Sequence, residues 1–211
     1  MKTVIIMDTE TTGRLESDPH IVQIALQTIA YSKTDSPVLI QERMAILRCP
    51  IPIPSGAMRV HGISDVAASR GFPAAAVLKW VAGQAQHADL LVCHNLRYDQ
   101  PVVDANLKRL DNHGPCEWKS TYCTMLGSKD LCKLPGKYDD YKWPGLAEAL
   151  KILCGHDLQG AHDALADVRG TRVLLDYLVD AGAVPELKGY IGSTPSVKPL
   201  EGEDYAPPLV P

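Results

Sequence analysis

The chain has 211 residues and a mass of 22.9 kDa, enough for one domain, or one domain with a tail, that needs no disulfide or metal staple. Hydrophobic residues make up 45% and charged residues 22%, and no apolar run approaches the ~20 residues of a helical membrane span. The formal net charge of −4, from 21 basic and 25 acidic residues, excludes the strongly basic balance that by itself signals nucleic acid. A local acidic site can still hide in that total.

In chain order, residues 2–8 are a short apolar run that predicts a buried strand ending at Asp8. The run meets Asp8 too soon for a secretory h-region, so the expectation is a cytoplasmic protein with no membrane partner. Residues 20–31 and 37–48 read as two further strands, joined by turn-like stretches at Gly13 to Pro19 and Ser32 to Ser36. Three strands on short connections predict an antiparallel meander. Pro50, Pro52 and Pro54 force an extended segment. Helices are predicted near 63–69, 73–86, 98–110, 124–132 and 144–153, and short strands at 89–93 and 118–124. A last helix spans about 162–181, with Leu165, Val168, Leu175, Leu178 and Val179 near a helical period. Residues 184–211 hold six of the 16 prolines and read as a Pro-rich tail beyond a domain of residues 1–183. The order β-β-β-α-β-α-β-α predicts a layered α/β domain.

The six cysteines form no C-x-x-C pair, and without a signal peptide reduced thiols are the default. His113, Cys116, Cys123 and Cys132 fit no tight zinc spacing, so small buried apolar residues are the better reading.

Three polar features stand at strand ends or helix starts. The first is Asp8-Thr9-Glu10-Thr11-Thr12-Gly13 at the end of the first strand. Strand alternation turns Asp8 and Glu10 to one side, where two carboxylates repel unless a cation lies between them. Oxygen donors of this kind suit Mg²⁺ or Mn²⁺. A solvated strand end is the bland alternative. The second is His94-Asn95-Leu96-Arg97-Tyr98-Asp99, with Asp99 in the first turn of a helix, where an acid also suits the helix dipole. The third is His162-Asp163-Ala164-Leu165-Ala166-Asp167. Five residues on an ideal helix turn through ~140°, so His162 and Asp167 share a site only if His162 precedes the helix. A histidine at such a helix start, after Gly155 and Gly160, can approach a substrate and act as a general base.

Together the three features resemble the DEDDh branch of the DnaQ-like 3′–5′ exonuclease superfamily. Asp8 and Glu10 match its D-x-E motif, Asn95 to Asp99 its N-x-x-[FY]-D motif, and His162 to Asp167 its H-x-[AS]-x-x-D motif. The resemblance covers residues 1 to about 181. It implies a ribonuclease H-like three-layer fold with a five-stranded mixed sheet, and two Mg²⁺ or Mn²⁺ ions per active site. Asp8 would touch both metals, Glu10 and Asp167 would help hold the first, and Asp99 the second. His162 would be the general base, and nucleoside 5′-monophosphates would leave a nucleic-acid 3′ end. Val60 and His61 would lie against the terminal nucleotide. Thr9, Thr11 and Asn95 would line the substrate, with the backbone near Thr11 receiving the 3′ end and Tyr98 packing on sugar or base. Arg14 followed by Leu15 stands where the family usually has a leucine directly after the glycine.

The four motif carboxylates account for the whole formal net charge, which two divalent cations would offset. The segment Lys129 to Trp143 interleaves Lys129, Lys133, Lys137 and Lys142 with Tyr138, Tyr141 and Trp143, a composition suited either to single strands or to a solvated loop. DNA, single-stranded or frayed, is the expected substrate ahead of RNA. Two alternatives accompany this reading. One is a proofreading or repair subunit that docks a polymerase through its tail, and the other a non-catalytic nucleic-acid-binding module on the same fold.

Overall fold

The computed structural model describes residues 1–111, 114–137 and 140–192. Strands β1 (Lys2–Thr11), β2 (Ile21–Tyr31) and β3 (Val38–Ile46) form the expected meander. Helices α1 (Ser55–His61), α2 (Asp65–Ser69) and α3 (Ala74–Ala85) follow, then β4 (Leu90–Cys93) and α4 (Leu96–Asp111). The chain continues through β5 (Thr121–Cys123), α5 (Thr124–Cys132), α6 (Leu146–Ala149) with a π-helical turn at Leu150–Cys154, and α7 (Ala164–Asp180). The five strands lie in the order β3-β2-β1-β4-β5, with β4 and β5 parallel to β1.

Alternation along β1 sorts the core into two layers. Val4 and Ile6 pack with Leu174, Leu175 and Leu178 of α7. Ile5 and Met7 pack with Leu78 and Val81 of α3 and with Val102 and Leu107 of α4. The sheet is therefore covered on both faces, as a strand apolar at every position requires. The fold is the predicted three-layer α/β arrangement around a five-stranded mixed sheet.

Several boundaries differ from the sequence reading. β1 runs on through Thr11, because pairing with β2 holds the polar stretch Asp8 to Thr11 in the ladder, with a bulge after Glu10. The helix expected at 63–69 is α2, and a further short helix, α1, precedes it, the two separated where Gly62 takes φ 73°. Val60 and His61 thus end a helix. The tail expected from residue 184 does not start there: Val184 and Leu187 are 1% exposed and belong to the α7-side core. The rest of the expected tail, 193–211, lies outside the described residues. So do Tyr138 and Asp139, and His113 of the candidate zinc spacing. Cys116 and Cys132 sit in cores on opposite faces of the sheet, which rules out a shared metal for them. All six cysteines are free, and Cys93, Cys116, Cys123 and Cys132 are buried as expected. Among the described residues, no helix is long and apolar enough to cross a membrane.

Candidate active site

The alternation that sends Val4 and Ile6 toward α7 sends Asp8 and Glu10 the same way, one strand turn further on. Asp167 stands in the first turn of α7, directly over that end of the sheet. Asp99 comes from the first turn of α4, which begins just past the C-terminal end of β4, next to β1. The site therefore forms at the C-terminal edge of adjacent parallel strands, where helix starts converge.

Asp99 is 2% exposed, and its Oδ1 accepts hydrogen bonds from the Thr9 backbone N–H (3.1 Å) and the Thr9 hydroxyl (2.8 Å). Ligand atoms of Glu10, His162 and Asp167 lie within 4.8 Å of one another, close enough to share one cation.

Electrostatics of the cluster have one sign. Burial, then the charges of Asp99, Asp167, Glu10 and Asp163, raise the Asp8 carboxyl well above its ordinary value. Burial and the charges of Asp167 and Asp99 push Glu10 up to about 8. Asp99 rises to about 7, mainly through burial, although the Thr9 bonds pull it down. Asp167 is also raised by burial. Carboxylates packed this way resist joint ionisation without a counter-charge, and a set of hard oxygen donors fits a divalent cation.

His162 precedes α7, as the rotation argument required. It takes φ 69°, a left-handed conformation that histidine tolerates better than most residues and that is common at functional sites. Its backbone N–H donates to Asp167 Oδ2 at 3.1 Å, and its side chain is exposed. Asp163 is the N-cap of α7, accepting at Oδ1 from the Leu165 and Ala166 N–H groups (both 3.1 Å).

The sequence reading did not single out Gln23. It pairs with Glu10 across β1 and β2, so its side chain shares the Glu10 face. Its Nε2 donates to Asp163 Oδ2 (3.0 Å) and its Oε1 accepts from Ala164 N–H (3.0 Å). Gln23 is 3% exposed and fastens the start of α7, with His162 and Asp167 either side, to the strand opposite Glu10. A polar residue amid the apolar run Ile21 to Leu26 was the available signal.

The expected substrate contacts are arranged as follows. His61 lies against the Thr11 backbone and within electrostatic reach of His162; its pKa is lowered, chiefly by burial. Val60 beside it is 53% exposed. Asn95 is exposed, and its carbonyl caps the first turn of α4 by accepting from Tyr98 (2.8 Å) and Asp99 (3.2 Å). Thr9 and Tyr98 also have partners within the protein. Thr9 is 7% exposed and spends its hydroxyl on Asp99, so it orients a carboxylate. The Tyr98 hydroxyl donates to Gly13 C=O (2.6 Å) and meets the Thr11 hydroxyl, bracing the turn after β1. Leu15 opens the 3₁₀ turn Leu15–Ser17 and is 38% exposed. In the basic–aromatic segment, Lys129 pairs with Asp140 (2.8 Å) and Lys142 with Glu148 (2.6 Å), which reduces its positive field.

No family model matches the chain. A protein of Escherichia phage 186 named "Uncharacterized exonuclease CP81" is 32% identical over 187 residues, covering 85% of this chain and 89% of that protein. Among solved structures, E. coli exonuclease I with single-stranded DNA and a zinc ion aligns with a TM-score of 0.70 at 18% identity over 89% of this chain. The same enzyme with a dA16 oligonucleotide aligns with a TM-score of 0.69 at 20% identity. The chain spans only 42% of exonuclease I, and that likeness is one of fold. With the phage relative matched over most of both chains, and the acidic motifs converging on one strand edge, the chain belongs to the DnaQ-like (DEDDh) 3′–5′ exonuclease family.

Proposed function

We propose that this chain is a divalent-metal-dependent 3′–5′ exonuclease that releases nucleoside 5′-monophosphates from nucleic-acid 3′ ends, with single-stranded or frayed DNA as the preferred substrate. The observation that carries the reading is the convergence of Asp8, Glu10, Asp99 and Asp167, all raised in pKa chiefly by burial, beside an exposed His162. The relative named as an exonuclease and the fold likeness to an enzyme solved with single-stranded DNA support it.

Asp8, Glu10 and Asp167 would hold one cation and Asp8 and Asp99 a second, with Mg²⁺ or Mn²⁺ the ions that suit carboxylate oxygens. Two such ions, when bound, stabilise the attacking and leaving oxygens of an in-line displacement at phosphorus. Thr9 keeps Asp99 turned toward the cluster. Gln23 and Asp163 hold the start of α7 so that His162 faces the attacking water. The His162 imidazole accepts the proton of that water as its oxygen bonds to phosphorus. The bond from phosphorus to the 3′-oxygen of the shortened strand breaks, and that oxygen leaves and takes up a proton. His61 and Val60 close the side of the site nearest Thr11, where the terminal nucleotide would lie.

The test is a time course on 5′-labelled single-stranded DNA and RNA of matched sequence, with Mg²⁺ or EDTA. A ladder shortening from the 3′ end in Mg²⁺ alone, faster on DNA, is expected. Asp8→Ala should lower the rate by at least about 10³-fold, as expected when charge stabilisation at the reacting centre is lost. Undiminished hydrolysis by that variant would overturn the site assignment.

A further inference from the structure

Trp143 stands apart from the other tryptophans. Trp80 and Trp118 pack against the core between the sheet and helices α3 and α4. Trp143 belongs to none of the buried apolar clusters among the described residues and is 52% exposed. An indole this exposed gains little from folding, yet the segment that carries it is tied down. His94, the residue after β4, is buried. Its Nε2–H donates to the Pro144 carbonyl at 3.1 Å, and its Nδ1 accepts from the Thr124 hydroxyl at 3.0 Å. The Pro144 carbonyl therefore fixes Trp143 at the C-terminal end of β4, the same strand end from which α4 presents Asp99. There the Arg97 guanidinium lies 5.7 Å from the ring centroid, a cation–π pair. Arg97 and Asp99 share the first turn of α4 but diverge by about 200° around it, so Arg97 stands at the same strand end as Asp99 without joining the acidic cluster.

We infer that Trp143 and Arg97 form a stacking platform for an unpaired nucleobase of the strand whose 3′ end lies in the acidic site, an inference that rests on the exonuclease reading. An indole with a guanidinium over its ring combines a flat apolar surface with a positive charge. An unpaired base with its phosphate has the complementary face and charge. Tyr141, 39% exposed in the same segment, adds a second ring nearby. A base in a duplex has both faces stacked and cannot use the platform, so the pair selects single strands. No base edge is read, so no sequence preference follows.

The test combines binding and turnover. Dissociation constants for a fluorescein-labelled single-stranded DNA octamer are measured by anisotropy in Ca²⁺ for wild type, Trp143→Ala, Trp143→Leu and Trp143→Phe. Alanine and leucine should weaken binding about 10-fold, the size expected for one lost stacking contact, and phenylalanine by less than about 3-fold. For a blunt duplex the variants should differ little from wild type. Leucine keeping wild-type affinity would mean that bulk alone matters and would overturn stacking. Equal affinity for wild type and alanine would overturn the platform. Metal-dependent hydrolysis of the p-nitrophenyl ester of thymidine 5′-monophosphate by wild type checks the active centre separately. If that ester survives, the exonuclease reading fails while the binding series still decides the platform.

Discussion

The oxygen and nitrogen of one side chain, Gln23, join the two halves of the site. Its strand partner is Glu10, and its two hydrogen bonds go to the N-cap carboxylate and first N–H of the helix that carries Asp167. Gln23→Leu keeps a similar volume but leaves Asp163 Oδ2 and the Ala164 N–H without these partners. A buried group stripped in this way costs about 1–3 kcal/mol, and a shift of the His162 segment by ~1 Å can cost ~10²-fold in rate. We expect kcat to fall 10- to 100-fold with KM changed by less than about threefold, since Gln23 does not reach the substrate. Steady-state kinetics with a melting curve checks this. A melting point lowered with kcat intact would make Gln23 a stabilising residue only. The difference between Gln23 and the motif residues is one of information. Asp8, Glu10, Asp99, His162 and Asp167 are legible because their chemical types recur at fixed spacing on recognisable element ends. Gln23 acts through its partners 140 and 141 residues away, and nothing in the run around it names them. The bond from Thr9 to Asp99 was hidden for the same reason, since the two are 90 residues apart.

At the scale of elements, α7 must sit at one angle on the sheet for Asp167 to meet Asp8 and Glu10. Its apolar face, Val168, Leu174, Leu175, Leu178 and Val179, supplies the burial but little directional restraint. Direction comes from a buried polar contact: the Tyr31 hydroxyl donates to Asp176 Oδ1 at 2.5 Å, and both residues are 0% exposed. Burial raises Asp176 to about 6, even though the Tyr31 bond pulls it down. Because the folded value is raised, its favourable contribution is complete below about pH 4 and lost as pH rises through 6. Tyr31→Phe removes the donor, so the ionised carboxylate loses a partner at high pH, while the protonated form, present at low pH, needs it less. The variant should be destabilised by about 1–3 kcal/mol, more at pH 8 than at pH 5. Urea unfolding at the two pH values measures this, and an equal loss at both would show that Asp176 does not ionise in the folded protein. Long elements with clean periodicity were readable in advance: the meander, α3, α5 and α7 all fall within a few residues of expectation. Of the short ones, β4, β5 and α2 were also expected, but α1 was not. α1 has seven residues including a glycine, and its helical form depends on what it packs against. Val184 and Leu187 read as tail because prolines dominate the stretch, yet two apolar side chains suffice to tie it to the core.

For the molecule as a whole, the charge arithmetic becomes a statement about stability. Half-buried carboxylates facing one another make the metal-free protein a strained object at neutral and alkaline pH. Glu10 is raised from 4.5 to about 8 and Asp99 from 3.8 to about 7, so the stability tied to their neutral forms is whole below about pH 4 and lost as pH climbs through 7 and 8. In EDTA, the melting temperature should fall between pH 6 and pH 8.5. Glu10→Gln should flatten that fall by roughly 2–8 °C, corresponding to about 1–2 kcal/mol after allowance for water screening of a partly exposed group. Mg²⁺ should raise the wild-type melting point most at pH 8.5, because a cation binds the ionised cluster and a ligand at about 100 times its Kd stabilises by about 2.7 kcal/mol. Glu10→Gln should lose most of that gain. The two effects have opposite signs and share one cause, which makes the pair decisive: a metal response that survives in Glu10→Gln would separate cation binding from the carboxylate cluster, and a flat pH profile in EDTA would mean that the carboxylates never oppose one another.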